Sequence, residues 1–373
     1  MKKVIFTGLL FLVTTLIVGA QQRPRELGIE IGVMPTGELN AITDVTGVKV
    51  GHTTLIEGDS VRTGVTAILA HGGNIFQQKV PAAVFVGNGF GKLAGSTQIT
   101  ELGNLETPVI LTNTLSVPTA MNAVIGYTLN LEGNEQVRSV NAVVGETNDG
   151  YLNDIRGMHV TEQDVLEAIK TASETNTEEG NIGAGTGTVA FGYKGGIGTS
   201  SRKLPESLGG YTVGVLVQSN YGGVLQINGV QVGEELKNFA FDNQLLNNVD
   251  GSCMIIVATD APLDSRNLER LAKRAFLGLA KTGGIVSNGS GDYIIAFSTA
   301  EGVRIPYQIQ TPTLKQEIVH NDRMTPLFMA AIEATEEAII NSLFMAETMT
   351  GFEGRTIEEL PVEKILPLFQ TRK

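Results

Sequence analysis

Asn247-Asn248-Val249-Asp250-Gly251-Ser252-Cys253-Met254-Ile255-Ile256-Val257 runs from a polar loop into an apolar, β-branched strand. A Gly-Ser pair stands at the point of entry. Serine in that place ordinarily just starts a strand. It has a second chemistry, self-cleavage. Ser252 Oγ can attack the Gly251 carbonyl and move the acyl group from nitrogen to oxygen. Water then releases a chain that begins at Ser252. Glycine suits the leaving side because it puts no Cβ in the path of attack. The product carries a hydroxyl and a free α-amine on one residue. An α-amine has a pKa near ~8, far below lysine's, so it is a base close to neutral pH. Cys253 invites a thiol mechanism instead. Side chains alternate along a strand, however, so Cys253 faces away from Ser252 and reads as a small core residue.

Around this segment lies a chain of 373 residues, 42% hydrophobic and 18% charged. That is enough apolar material for a large core, and it excludes disorder, collagen and coiled coil as the main architecture. The 45 glycines are well above the usual share of ~7%. Many backbone positions must therefore turn tightly or lie close to something. Lys+Arg number 27 against 39 Asp+Glu, for a net charge of −12. Such a chain has no electrostatic reason to hold nucleic acid or an anionic membrane. Trp is absent and aromatics are 6%, so stacking platforms for single strands are missing too. The single cysteine permits no internal disulfide. His52, His71, His159 and His320 are scattered, which argues against a zinc site. No cofactor and no metal is expected.

The N-terminus reads as a targeting segment. Lys2 and Lys3 precede an apolar run from Val4 to Val18, then small Gly19 and Ala20, then polar Gln21-Gln22-Arg23-Pro24. This is the order of a secretory signal. The run is short for a span of ~20 residues, which weighs against the alternative of an uncleaved anchor. Residues 1–20 are read as a signal peptide of an exported protein, periplasmic or secreted. Residues 21–373 are read as one domain.

Short β-branched runs predict strands over 65–69, 83–86, 140–144, 211–217, 253–259 and 293–297. Thr161-Glu162-Gln163-Asp164 resembles a capping box and opens a helix over 165–172. Leu268, Leu271, Ala272, Ala275 and Leu279 share one helical face, which Gly283-Gly284 closes. Thr325-Pro326 opens a long apolar helix through Ala346. Buried strands with apolar helices predict sheets covered by helices, an α/β (α+β) layered fold. The polar stretch 173–180 (SETNTEEG) is expected to be a surface loop.

The glycine motifs fail as nucleotide loops. Gly87-Asn88-Gly89-Phe90-Gly91-Lys92 lacks both the P-loop's first glycine, where Val86 stands, and its Ser or Thr, where Leu93 stands. Gly185-Thr186-Gly187-Thr188-Val189-Ala190 follows a polar segment and not a strand. Tight packing between layers, or a cleft walled by bare backbone, explains them better. No HExxH helix and no G-x-S-x-G elbow is present.

The chain as a whole resembles the self-processing aminopeptidases that include the L-aminopeptidase/D-esterases and β-peptidyl aminopeptidases. The likeness covers about 28–354. It rests on 39–54 (LNAITDVTGVKVGHTT), 61–68 (VRTGVTAI), 145–154 (GETNDGYLND), Gly251-Ser252 with 258–263 (ATDAPL), and 290–292 (SGD) before 296–299 (AFST). The resemblance implies a four-layer αββα sandwich like that of N-terminal-nucleophile hydrolases. It implies cleavage at Gly251–Ser252 into a heavier piece, 21–251, and a lighter piece, 252–373, that stay one folded unit. Ser252 matches the nucleophile. Ser290 and Asp292 match the proton-handling pair, the acid being Glu in some relatives. Either Ser290 or the α-amine of Ser252 serves as base. Asn220, at the end of an apolar strand, matches a donor to the oxyanion. Glu146 matches the acidic anchor for a substrate's free ammonium, and Tyr151 is a candidate wall or hydrogen-bond donor beside it. Asn148 and Asp149 read as turn-formers. The implied substrates are short peptides, amides or esters with a free N-terminal amine, and the implied assembly is a homotetramer of cleaved protomers. Two other functions fit parts of the sequence. One is an autoprocessed acyltransferase of the ornithine acetyltransferase type, whose nucleophile is Thr. The other is a periplasmic solute-binding protein, which would stay a single chain and turn nothing over.

Overall fold

The computed structural model describes residues 21–175, 177–239 and 251–370. The signal-peptide reading and residues 247–250 of the cleavage segment lie outside them.

Two sheets face each other. In the first, β1 (Lys49–Glu57), β2 (Val61–Leu69), β4 (Val109–Asn113) and β5 (Val143–Thr147) lie in the order β1-β2-β4-β5, with the short strand Leu93–Ala94 beyond β5. In the second, β6 (Ile197–Lys203), β7 (Thr212–Asn220), β8 (Ser252–Thr259), β9 (Gly291–Ser298) and β3 (Gln78–Gly89) lie in the order β6-β7-β8-β9-β3. Each sheet holds one parallel pair, β4 with β5 and β8 with β9. Parallel neighbours need a crossover, and a helix supplies it in both cases. These are α1 (Val117–Leu129) and α3 (Ser265–Lys281).

Helix α2 (Glu162–Lys170) joins α1 on the outer face of the first sheet, and α4 (Thr325–Phe344) joins α3 on the outer face of the second. Among the described residues three cores fill the spaces between four layers. Val65, Ala67, Ile110 and Val144 pack under α1 and α2. Ile68, Leu111, Val143, Leu216, Met254, Ile256 and Ile295 pack between the sheets. Val215, Val217, Cys253, Ile255, Val257 and Ile294 pack under α3 and α4. The central strands β7, β8 and β9 are buried along their whole length, which explains the apolar runs of β8 and β9. This is the αββα sandwich that the resemblance implied.

The capping box at Thr161 forms as the sequence predicts, but the helix it opens covers 162–170 and not 165–172. Thr161 accepts a hydrogen bond from the Asp164 N–H, and the Asp164 carboxylate accepts from the Thr161 N–H in return. Asp264 caps α3 through the Asn267 N–H. Three further expectations need correction. The strand expected over 140–144 starts only at Val143, because Glu106 holds the Asn141 N–H and side-chain amide at 2.8 Å each and takes Asn141 off the ladder. The strand expected over 83–86 runs from Gln78 to Gly89. Pro81 breaks its period, but it lies where β3 meets only the short strand Asn104–Leu105. The stretch 173–180 is not all surface: the Glu179 side chain is 2% exposed and pairs with Arg23 at 2.5 Å.

Bare backbone sets the spacing of the layers. A Cβ on Gly198 of β6 would lie 2.0 Å from the Ala338 carbonyl oxygen of α4. Gly198→Ala must push helix from sheet, so we expect a loss of about 1–3 kcal/mol, read as a lower denaturant midpoint.

Candidate active site

The sheet registers bring three strand ends together. Ser252, the first residue of β8, lies opposite Asn220 at the end of β7 and opposite Gly291 at the start of β9. Its neighbours on the same face, Met254 and Ile256, point into the core between the sheets, whereas Cys253 points into the core under α3 and α4. The alternation read from sequence therefore holds. Burial pushes the Cys253 thiol well above its ordinary pKa, and the charge of Asp292 adds to the shift. A thiol kept protonated is not a nucleophile.

The Gly251 carbonyl oxygen is held from two sides. The Ser252 hydroxyl donates to it at 2.6 Å and the Gly291 N–H at 3.1 Å. The same N–H reaches Ser252 Oγ at 3.3 Å. Both donors draw electron density from the Gly251 carbonyl. Gly291 also stands where negative charge on that oxygen would develop if Ser252 Oγ attacked it. Only glycine fits at 251, since a Cβ there would lie 2.7 Å from Tyr221 Cα.

Asn220 contributes an oriented amide. Its Oδ1 accepts the Val189 N–H at 2.9 Å, which leaves the Nδ2 end to donate on the sheet face that Asn220 shares with Ser252. Ser290 and Asp292 flank Gly291 and are each about 1% exposed. Burial pushes the Asp292 carboxyl up to about 6, while the nearby Ser290 hydroxyl and Cys253 N–H pull it back. Neither Ser290 Oγ nor Asp292 Oδ2 reaches full hydrogen-bond geometry with any described residue.

Glu146 comes from the opposite sheet. It lies on β5, 3% exposed, and takes the Lys92 N–H at 2.9 Å and the Thr114 hydroxyl. Among the described residues no basic side chain pairs with it. Gly91 links it to the junction: a single point, the place of a Gly91 Cβ, lies 3.0 Å from Glu146 Oε1 and 3.2 Å from Gly291 Cα. The loop that imitated a phosphate site is thus the bare-backbone wall between the buried carboxylate and the Gly251–Ser252 peptide.

Tyr151 does not join this group. It is 51% exposed, with the Arg355 guanidinium 5.3 Å from its ring centre, and its contacts are with Arg355. Asn148 does form a turn, accepting the Gly150 N–H at 2.9 Å. Asp149 is 2% exposed, and burial pushes its carboxyl up to about 7. Asp149 forms a turn as read, its carbonyl accepting the Leu152 and Asn153 N–H groups; sequence reasoning missed its burial, and missed Thr114, Val189 and Gly291. The last three act here through a hydroxyl or a backbone N–H, and no residue type announces that. No group of three or more His, Cys, Asp or Glu among the described residues could hold a metal ion.

A layered sandwich with a serine at the start of a central strand, under a buried carboxylate, is the architecture of a hydrolase of the N-terminal-nucleophile fold class. The chain belongs to peptidase family S58, whose model matches residues 40–357. It is 41% identical over 360 residues to the β-peptidyl aminopeptidase BapA of Sphingosinicella microcystinivorans, covering 91% of this chain and 89% of that protein. Two solved structures are similar throughout. The L-aminopeptidase D-Ala-esterase/amidase of Ochrobactrum anthropi superposes with a TM-score of 0.86 at 36% identity, covering 94% of this chain and 98% of that one. It is described as a prototype of the serine aminopeptidases and a new variant of the Ntn hydrolase fold. A Burkholderia β-aminopeptidase gives 0.85 at 40% identity, covering 94% and 99%. The protein is accordingly an aminopeptidase.

The raised Asp292 carboxyl yields a measurable expectation. Its resonance in carboxyl-labelled protein should titrate near pH 6, and a value near 4 would show a hydrated side chain. Ionising it costs the folded state more than the unfolded one. That cost is absent below the ordinary aspartate range and complete above about 6. The stability of Asp292→Asn relative to the parent should therefore rise as pH goes from 4 to 6.

Proposed function

We propose that this chain is an exported, self-processing serine aminopeptidase that removes N-terminal residues from short peptides, amides or esters. L-α, D-α and β-amino acids are all candidate N-terminal residues. The observation that carries the substrate reading is Glu146, a buried carboxylate with no basic partner among the described residues, across Gly91 from the Gly251–Ser252 junction. A fixed anion there suits a free ammonium, and that selects chain ends over internal peptides.

The proposed chemistry has two stages. In the first, Ser252 Oγ attacks the Gly251 carbonyl, with the Gly291 N–H on the developing oxyanion. The C–N bond breaks as the hydroxyl proton passes to the Ser252 nitrogen, water hydrolyses the resulting ester, and the products are 21–251 and a chain starting at Ser252. In the second stage Ser252 Oγ attacks a substrate carbonyl and its proton passes to a base. Either the new α-amine or Ser290, oriented by Asp292, fills that role. The Asn220 amide donates to the oxyanion. The proton returns to the leaving amine, an ester links the N-terminal residue to Ser252, and water releases it. No cofactor takes part.

Export rests on the sequence of residues 1–20, and we infer a homotetramer of cleaved protomers free of nucleic acid and membrane. No described helix is long and apolar enough to cross a membrane. Ser252, where the acyltransferase reading requires Thr, favours hydrolysis. The aminopeptidase relatives remove the solute-binding reading.

The purified protein should run as two bands on a denaturing gel, the smaller beginning at Ser252. Ser252→Ala should stay intact and inactive, and Cys253→Ala should keep both cleavage and turnover. Full activity in an unbroken chain would defeat the mechanism. Glu146→Gln should raise KM for aminoacyl p-nitroanilides roughly 10–100-fold, the worth of a charge-assisted hydrogen bond, while leaving cleavage in place. An unchanged KM would remove Glu146 from the substrate site.

A further inference from the structure

The most deeply buried basic side chain near the site has no part in the chemistry above. Lys194 is 0% exposed. It ends a small hairpin in which Val189 and Ala190 pair with Tyr193 and Lys194. Its ammonium turns back under that hairpin and donates to the Gly185 carbonyl at 3.0 Å and the Gly195 carbonyl at 2.8 Å. The Thr188 hydroxyl donates to the same Gly185 oxygen at 3.0 Å, and the Gly195 N–H meets the Thr188 carbonyl at 3.1 Å. One nitrogen thus ties together the two ends of the segment that carries Val189. The Val189 N–H is the donor that holds Asn220 Oδ1.

We propose that Lys194 is a positioning residue that fixes the orientation of the Asn220 amide by stapling the 185–195 segment beneath it. This rests on the reading of Asn220 as the oxyanion donor. An amide group has two ends of opposite hydrogen-bonding character. Were the Val189 N–H to drift, the amide could rotate and set its oxygen towards Ser252, where it would repel an oxyanion.

A lysine with no exposed surface is costly unless something repays its burial. Nζ places two of its N–H bonds on carbonyls, and it retains two donors even when neutral. Burial lowers its pKa to about 7, with the charge of Asp149 working in the other direction. Asp149 is itself buried, and its Oδ2 has no hydrogen-bond partner among the described residues. A methionine of similar length could fill the volume but could hold neither carbonyl. The residue type is thus explained by the carbonyls it holds and not by packing.

The test is a double-mutant cycle on hydrolysis of an aminoacyl p-nitroanilide, with rates normalised to cleaved protomer and thermal midpoints recorded alongside. Lys194→Met should lower kcat about 10–100-fold and change KM less than twofold. In an Asn220→Ala background, where the orientation of an amide no longer matters, the same substitution should lower kcat less than twofold. Val189→Pro removes the N–H but leaves the lysine, so it should reproduce the loss if Lys194→Met fails to fold. Equal losses in both backgrounds would mean that Lys194 acts by some other route and would overturn the proposal, as would full activity in either single variant. Absence of hydrolysis in the parent protein would instead strike at the function proposed above.

Discussion

The site depends on one register: Ser252 opposite both Asn220 and Gly291 at the mouth of a central strand. Antiparallel pairing on one side and parallel pairing on the other bring three strand ends to one place. The parallel pair is the demanding one, since α3 must cross over to make it. A shift of one residue between β8 and its neighbours would turn every side chain to the opposite face. Ser252 would then point at the helices and Cys253 at the cleft. The apolar runs prevent this, because Ile255 and Val257 fill one core while Met254 and Ile256 fill another. Side chains well away from the junction therefore decide which residue enters the cleft.

The second constraint is the distance between the sheets. Glu146 belongs to the first sheet and Ser252 to the second, so their relation is set by how closely the layers approach. Bare backbone sets that approach. A Cβ on Gly145 would lie 2.4 Å from Met254 Cε, and one on Gly291 would lie 2.8 Å from Gly91 Cα. The glycine excess in the composition is spent largely on such contacts. The ring edge of Tyr293 reaches the same place, its Cε2 3.0 Å from the position of a Gly91 Cβ and 3.3 Å from that of a Gly291 Cβ.

Much of this was legible in the sequence and some was not, for identifiable reasons. The αββα layering follows from β-branched runs and amphipathic helices, and the site residues follow from the resemblance. Gly251 could be read as sterically permissive, but its actual constraint, Tyr221 against the missing Cβ, belongs to tertiary structure. Asp149 and Lys194 were illegible because each sits in a run that local chemistry assigns to a turn, Asn148-Asp149-Gly150 and Phe191-Gly192-Tyr193-Lys194. Glu333, Glu336 and Glu337 were illegible as buried groups for another reason. The partners of Glu333 and Glu337, Arg202 and Arg25, lie more than a hundred residues away. Polar residues look exposed until the element that covers them is known.

The proposed mechanism has an internal asymmetry. In the unbroken chain the Ser252 nitrogen is an amide, so it has no basicity to lend. The first turnover, on Gly251 itself, must therefore draw on Ser290 and Asp292 or on the polarisation of the Gly251 carbonyl. Later turnovers gain the α-amine. The geometry fits that division. Two donors already engage the Gly251 oxygen, which a slow, single event exploits without a strong base. The Asp292 carboxyl, pushed up to about 6, accepts a proton more readily than an ordinary aspartate yet is largely ionised at neutral pH. On this mechanism, a site with only a modest base suffices to make a better one from its own backbone.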